Sequence, residues 1–370
     1  MTMRPAAPVT PLMYQSVFEV PEEDEAQTVA DLLDSLKHIS TVTYADGGHA
    51  LRSVHAKSHG ILRGTLTVLD GLPQPYAQGL FATPASYEAV ARVSTTPGDL
   101  LDDKVSTPRG LALKLVGVAG ARVEGSEQDT TQDFVMVNGP VFAAPTAKKF
   151  SGSLKLLAPT TDKVPGLKVA LATVLRGAEK ALEAVGGESG LLKSLGGHPA
   201  THPLGETYFT QAPVLYGPYM AKFSLVPVSP ELLALTDAPV ELAHTENGLR
   251  DAIVAHFASH GGQWELRVQL CTDLATMPIE DSSVEWSQQD SPYVAVARLS
   301  MAPQAGWSEA LSTLVDDGMR FNPWHALAAH RPIGSIMRVR KAAYAMSSAF
   351  RFERSGVAQQ EPKDLHALPR

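Results

Sequence analysis

Apolar residues between Leu51 and Phe142 come in short, often β-branched runs cut by Gly, Pro and Asp: ILRGTLTVLD, LALKLVGV and DFVMVNGPVF. Runs of that length and texture predict antiparallel strands. The stretch before them differs. EEDEAQTVADLLDSLKHIS, from Glu22, spaces Val29, Leu32, Leu33 and Leu36 as one helix face does, which predicts an amphipathic helix. After the strands, residues 146–195 return to helical spacing in LKVALATVLRGAEKALEAV, until GGESG and GGHP interrupt the chain. A second strand set follows in PYMAKFSLVPV, WELRVQLCT and YVAVARLSMA, with NGLRDAIVAHFASHGG as a short helix inside it. The C-terminal region holds SEALSTLVDDGM and an alanine-rich helix, MRVRKAAYAMSSAFR.

Strands in two blocks, separated and followed by helices, predict an α+β protein with a large antiparallel sheet, open or closed as a barrel. Residues 1–22, with Pro5, Pro8, Pro11 and Pro21 and little periodicity, read as an extended N-terminal arm. No repeat, low-complexity tract or linker divides residues 23–370, which read as a single domain.

Composition narrows the function classes. The 370 residues are 44% hydrophobic and 19% charged, the balance of a soluble globular protein. A net charge of −8 argues against general nucleic-acid binding, which needs a basic surface. Cys271 is the only cysteine, so no internal disulfide and no cysteine-based zinc knot can form, in keeping with a reducing cytoplasm. The N-terminus lacks a signal-peptide pattern, and no run of eighteen uncharged apolar residues exists for stable membrane insertion. The expectation is a cytoplasmic protein.

Common motifs are missing. GGESG lacks the Gly-Lys-Ser/Thr ending of a phosphate loop, and there is no strand–GxGxxG–helix unit, no HExxH and no GxSxG elbow. Pro199 spoils His198 and His202 as a helical pair, and Gly261 and Gly262 end the helix of His256 and His260, so a surface helix end is the favoured reading there. LRSVHAK, at Leu51 to Lys57, reads as the opening of a strand with Arg52 and His55 on opposite faces.

Taken with ARVST (Ala91–Thr95), TPRGLALK (Thr107–Lys114), DFVMVNGPVF (Asp133–Phe142) and RKAAYAMSSAFR (Arg340–Arg351), that segment acquires another meaning. In this order and spacing the motifs resemble the haem catalases, and more closely the small catalase-like proteins that keep only the catalase core. TMPIEDSSVEW and FNPWH extend the similarity, which covers residues from about 50 to 351. The resemblance implies an eight-stranded antiparallel β-barrel with surrounding helices, and haem b (iron protoporphyrin IX) as cofactor.

By the same resemblance Tyr344 is the proximal iron ligand. A phenol with pKa about 10 needs help to ionise, and Arg340, one helical turn earlier, is expected to donate to its oxygen. His55 matches the distal acid–base histidine and Ser94 the group that fixes its tautomer. Arg52, Arg92 and Arg351 match the arginines that pair with the two propionates, Phe150 the aromatic stacked on the porphyrin, and Val54 the valine of the narrow approach.

Three positions depart from the pattern. Val137 stands at the distal asparagine, and Asn138 replaces that amide only if the strand bulges. Thr107 stands at an acidic channel residue, and Ala143 at one of two channel phenylalanines, Phe142 being kept. These departures imply a peroxidase that reduces hydrogen peroxide or organic hydroperoxides with a small organic reductant, with little dismutation. Alternatives are rearrangement of a fatty-acid hydroperoxide and a non-catalytic haem-binding protein. A monomer or homodimer is expected, since the interlocking arms and extensions of full catalases have no clear counterpart.

Overall fold

The computed structural model describes residues 10–96, 98–105, 107–157, 199–357 and 361–369. Nine strands run through them: β1 Lys57–Val68, β2 Ser86–Thr95, β3 Arg109–Val116, β4 Thr131–Val137, β5 Tyr208–Phe209, β6 Val214–Tyr216, β7 Tyr219–Pro227, β8 Gly262–Leu270 and β9 Val294–Met301. The six described α-helices are α1 Glu25–Gly47, α2 Ala147–Leu157, α3 Pro230–Leu233, α4 Gly248–Phe257, α5 Glu309–Ser312 and α6 Ser335–Ser355. LKVALATVLRGAEKALEAV, expected to be helical, lies outside the described residues, as do GGESG and His198.

The strand order is β5-β4-β3-β2-β1-β9-β8-β7-β6. Tyr208 opposite Leu225 and Phe209 opposite Ser224 join β5 to β7, so eight antiparallel strands close into a barrel and β6 hairpins onto β7. The two strand blocks read from the sequence meet where Thr65 to Val68 of β1 pair with Ser300 to Ala297 of β9. Closure leaves few unpaired edges. The two-residue β5 that completes it has no periodicity of its own, because pairing rather than pattern makes it a strand.

Side chains alternate across the wall. Leu62, Leu66, Ala91, Leu113, Phe134, Leu266 and Leu299 belong to the main core. Their neighbours Ile61, Val90 and Val116 face the other way and are covered by Leu311, Val315, Phe321, Leu365 and Leu368. The segments around α5 and the described C-terminus therefore form a second layer on the outer face of the barrel. α1 packs against α2 and α6 on the same molecule, which carries the alanine-rich helix to the barrel wall. No described helix is long and apolar enough to cross a membrane.

The described N-terminal segment is tied down from Leu12. Leu12 N–H donates to the Cys271 carbonyl and Tyr14 N–H to the Pro218 carbonyl, both at 2.8 Å. Arg338, in the first turn of α6, is the centre of an ion cluster. It reaches Glu25 at 2.7 Å, Glu280 at 2.8 Å and Glu19 at 3.4 Å, with 17% of its side chain exposed. The carboxylates come from two segments far from Arg338 along the chain, Glu19 and Glu25 from one and Glu280 from the other, so only folding brings them to one guanidinium. Arg338→Ala should lower the unfolding free energy by about 2–3 kcal/mol in a denaturant titration, because three carboxylates lose a forked partner. An unchanged midpoint would show that the cluster does not anchor α6.

Candidate active site

A cavity of about 720 Å³ lies between α6 and the outer face of β2, β3 and β4. Register explains the barrel side of its lining. Arg92 stands opposite Ala112, which stands opposite Val135, and Ser94 stands opposite Gly110. These residues share one face of the sheet. From α6 come Lys341, Tyr344, Ala345, Ser348 and Phe352, spaced as one helix face, with Ala343, Ser347, Ala349 and Arg351 beside them. Leu36 of α1, residues 52–55, Glu124 with Gly125, and part of the segment 320–325 complete the lining.

β1 begins only at Lys57, so LRSVHAK is not a strand opening. The preceding residues turn, with His55 at φ +54°, a left-handed conformation uncommon for a side chain of this size. The turn brings Arg52, Val54 and His55 to the same cavity, where an extended chain puts Arg52 and His55 on opposite faces.

His55 Nδ1 is 3.3 Å from Ser94 Oγ. The ring lies against Gly110, where an added Cβ would fall 2.6 Å from both His55 Cε1 and His55 Nδ1. The glycine of TPRGLALK is thus required by close approach. Burial, and after it the charges of Arg92 and Arg340, push the imidazole pKa down to about 3. At neutral pH the ring has one donor nitrogen and one acceptor nitrogen.

Arg52, Arg92 and Arg351 also line the cavity. Behind them, off the lining, sits Asp316, in a π-helical turn Thr313–Asp317 that continues α5. Arg92 Nε donates to Asp316 Oδ1 at 2.5 Å, and Arg52 Nη1 donates to the same oxygen at 3.2 Å. Ser58 and Ser312 hydroxyls donate to Asp316 Oδ2 at 2.6 and 2.7 Å. Burial alone raises a carboxyl pKa, but here Arg92 and Arg52 outweigh it and hold Asp316 far below the usual range. Arg351 is 4% exposed, and its Nε is buried with no hydrogen-bond partner. Burial and the Arg92 charge push its pKa down to about 10.

Seven of the nine candidate residues line this one cavity: Arg52, Val54, His55, Arg92, Ser94, Tyr344 and Arg351. Two do not. Phe150, on α2, packs edge-to-face on Phe142 with ring centroids 5.0 Å apart, because α2 docks on α1 rather than over the cavity. Arg340 lies with its guanidinium 5.6 Å from the centre of the Phe142 ring and 3.8 Å from Met337 Sδ. The expected donation to the Tyr344 hydroxyl is not made; Phe142 and Met337 draw the guanidinium the other way.

The departures are placed as well. β4 pairs with β3 in unbroken register up to Val137 opposite Gly110, so there is no bulge. Asn138 therefore faces away, its amide donating to Glu206 at 2.7 Å and its oxygen accepting from Arg109 N–H at 2.9 Å. Val137 shares the face of Gly110 and Ser94 and offers no donor. Thr107 (hydroxyl on the Thr96 carbonyl), Phe142 and Ala143 do not line the cavity, so Ala143 does not widen it.

Sequence reasoning missed other groups. His325 of FNPWH lines the cavity and is buried, with Nδ1 3.1 Å from Asp133 and 3.3 Å from Glu361. Lys114, also buried, bonds both carboxylates at 2.7 Å. Lys341 lines the rim, 5.1 Å from the centre of the Trp324 ring. Asp316 sits in SEALSTLVDDGM, where nothing local signals an arginine partner. Among the described residues no group of three or more His, Cys, Asp or Glu could hold a metal ion. His256 Nε2 donates to the Gly261 carbonyl at its helix end.

No protein-family model matches this chain, and no curated protein matches it in sequence. Solved structures do match. A fungal catalase is 16% identical with a TM-score of 0.58, over 98% of this chain and 68% of that one. Catalase A from Saccharomyces cerevisiae is 17% identical with a TM-score of 0.59, over 93% of this chain and 68% of that one. A bacterial catalase is 15% identical with a TM-score of 0.56, over 95% and 68%. The fold is catalase-like.

Burial pushes His55 to about 3 and both His202 and His330 to about 4. Unfolded histidines titrate near about 6.5, so below that pH the unfolded chain binds more protons and stability falls as pH falls. His55→Gln should make the decline of unfolding free energy between pH 6 and pH 4 shallower than in the parent. An identical slope would mean that His55 is not held neutral by the fold.

Proposed function

We propose that this protein is a catalase-related oxidoreductase that holds haem b in the α6–barrel cavity and reduces peroxides at the expense of an organic donor. One observation carries the reading: a hydrogen-bonded His55–Ser94 pair, a tyrosine and three arginines line the same cavity on a catalase-like fold. The residues suit the group. A flat porphyrin fits between small residues of α6 (Ala343, Ala345, Ala349) and the barrel wall, and Arg351 Nε is a buried donor with no acceptor of its own. Two propionates supply such acceptors. Tyr344 lines the cavity from α6, and the catalase resemblance makes its oxygen the iron ligand in this reading.

Haem, when bound, supplies the electrons that cleave the peroxide O–O bond. The chain supplies the proton handling. Ser94 Oγ fixes His55 through Nδ1 and leaves Nε2 as the working nitrogen. A neutral imidazole is competent to take the proton from the peroxide oxygen that will be retained. The same nitrogen then returns it to the oxygen that leaves as water or alcohol. Arg52, Arg92 and Arg351 would hold the two propionates. Val137 gives no second donor to position hydrogen peroxide, and this missing amide is what favours an external donor over dismutation. The exposed Phe352 and the Trp324–Lys341 pair at the rim provide a surface for an organic donor.

Reconstituted with ferric haem, the protein should show a high-spin tyrosinate-ligated spectrum, and Tyr344→Phe should lose it; an unchanged spectrum would remove Tyr344 as ligand. With hydrogen peroxide and a phenol, donor oxidation should far exceed oxygen evolution. His55→Gln should slow the peroxide-dependent step by about 10²–10⁴-fold. Oxygen release at catalase-like rates would rule out the peroxidase reading, and an epoxide formed from a lipid hydroperoxide without donor consumption would assign rearrangement instead.

A further inference from the structure

We propose that Asp316 is a counter-ion built in behind the arginine cluster, which sets the cluster's free positive charge at two and so matches the site to a ligand with two carboxylates. The inference rests on the haem reading of the cavity and deepens it. Arg52, Arg92 and Arg351 bring three permanent charges to one wall. Asp316 contacts the first two directly and is off the cavity lining, so it neutralises one charge without covering the faces that the cavity presents. Arg351 is left with a buried Nε that has no partner.

The neighbouring charges act in opposite directions: Asp317, bonded to His49 at 2.9 Å, favours the charged forms of Arg52 and Arg351, while Arg320, paired with Glu361 at 3.3 Å, disfavours that of Arg351. Lys341 and Glu124, which also line the cavity, pair with each other at 3.5 Å. Asp316 is also held from both sides, by the hydroxyls of Ser58 on β1 and Ser312 on α5, so the carboxylate cannot swing into the cavity without breaking two hydrogen bonds. The π-helical turn at Thr313–Asp317 sets it at that depth. A site with three uncompensated guanidiniums would repel itself when empty. One with a fourth group in the cavity would compete with the ligand. Asp316 avoids both, and it acts as a positioning residue through the arginines.

The test uses metal-free protoporphyrin IX and its dimethyl ester, so that iron ligation plays no part. Dissociation constants are measured by fluorescence at low salt for the parent, Asp316→Asn, and the charge-balanced double variant Asp316→Asn with Arg92→Gln. The expected result is a preference for the diacid over the ester in the parent and a rise of that ratio by fivefold or more in Asp316→Asn. The double variant should return to within twofold of the parent. A ratio in Asp316→Asn equal to the parent's would overturn the proposal, because a merely structural carboxylate leaves selectivity alone. If Asp316→Asn does not fold, parent and double variant are compared directly, and a shifted ratio between them overturns it. Failure of the parent to bind any porphyrin would sink the haem reading. The ligand-free melting temperatures then decide the counter-ion separately, with a fall in Asp316→Asn and recovery in the double variant expected, and no fall overturning it.

Discussion

Three guanidinium groups stand against the outer wall of one barrel, two of them nearly inaccessible to water, and a buried cation needs an anion. Much of the architecture around the cavity answers that need. β2 and α6 present Arg92 and Arg351 from opposite sides, the turn before β1 adds Arg52, and the π-helical turn after α5 drives Asp316 in behind them. Ser58 on β1 and Ser312 on α5 hold the carboxylate by its second oxygen. The same logic recurs at the far end of α6, where Arg338 gathers Glu19, Glu25 and Glu280. Ion pairs at the Arg338 end thus fix the helix that carries Tyr344, and the barrel wall supplies the rigid reference.

The face of the cavity that carries His55 is governed by sterics more than by charge. Gly110 clears room for the imidazole, Ser94 opposite it in register holds the ring, and a left-handed turn delivers His55 there. Burial then keeps the ring neutral, which makes it a proton carrier rather than one more cation beside the arginines. Val137 follows from the same register. Because β4 runs without a bulge, the amide of Asn138 stays on the opposite side with Glu206 and Arg109, and Val137 adds no polar group beside His55 and Ser94.

Much of the fold was legible in the chain. The texture of β1, β3, β4 and β7–β9, the helical spacing of α1 and the motif order each marked an element, since period and turn residues are local properties. β5 and β6 were invisible because they are strands only by pairing. Among the candidate residues, those inside spaced motifs (His55, Ser94, Tyr344, Arg351) come to line one cavity. The roles expected for Arg340 and Phe150 did not follow from spacing, since the rotation of a side chain on a helix depends on Phe142, Met337 and the docking of α2.

By itself, then, the sequence determined the residue types and their order: a tyrosine one turn after an arginine, a histidine three residues after another, glycine and serine where two strands would meet. Those are covalent facts that survive in any conformation. Only the tertiary structure decided which of them share a cavity, because barrel closure and strand register set which face each side chain takes. It also decided that Asp316, more than 220 residues from Arg92 along the chain, supplies the charge that the arginines require. Electrostatic partners of that kind are chosen by distance in space, and distance in space is what a linear pattern does not carry.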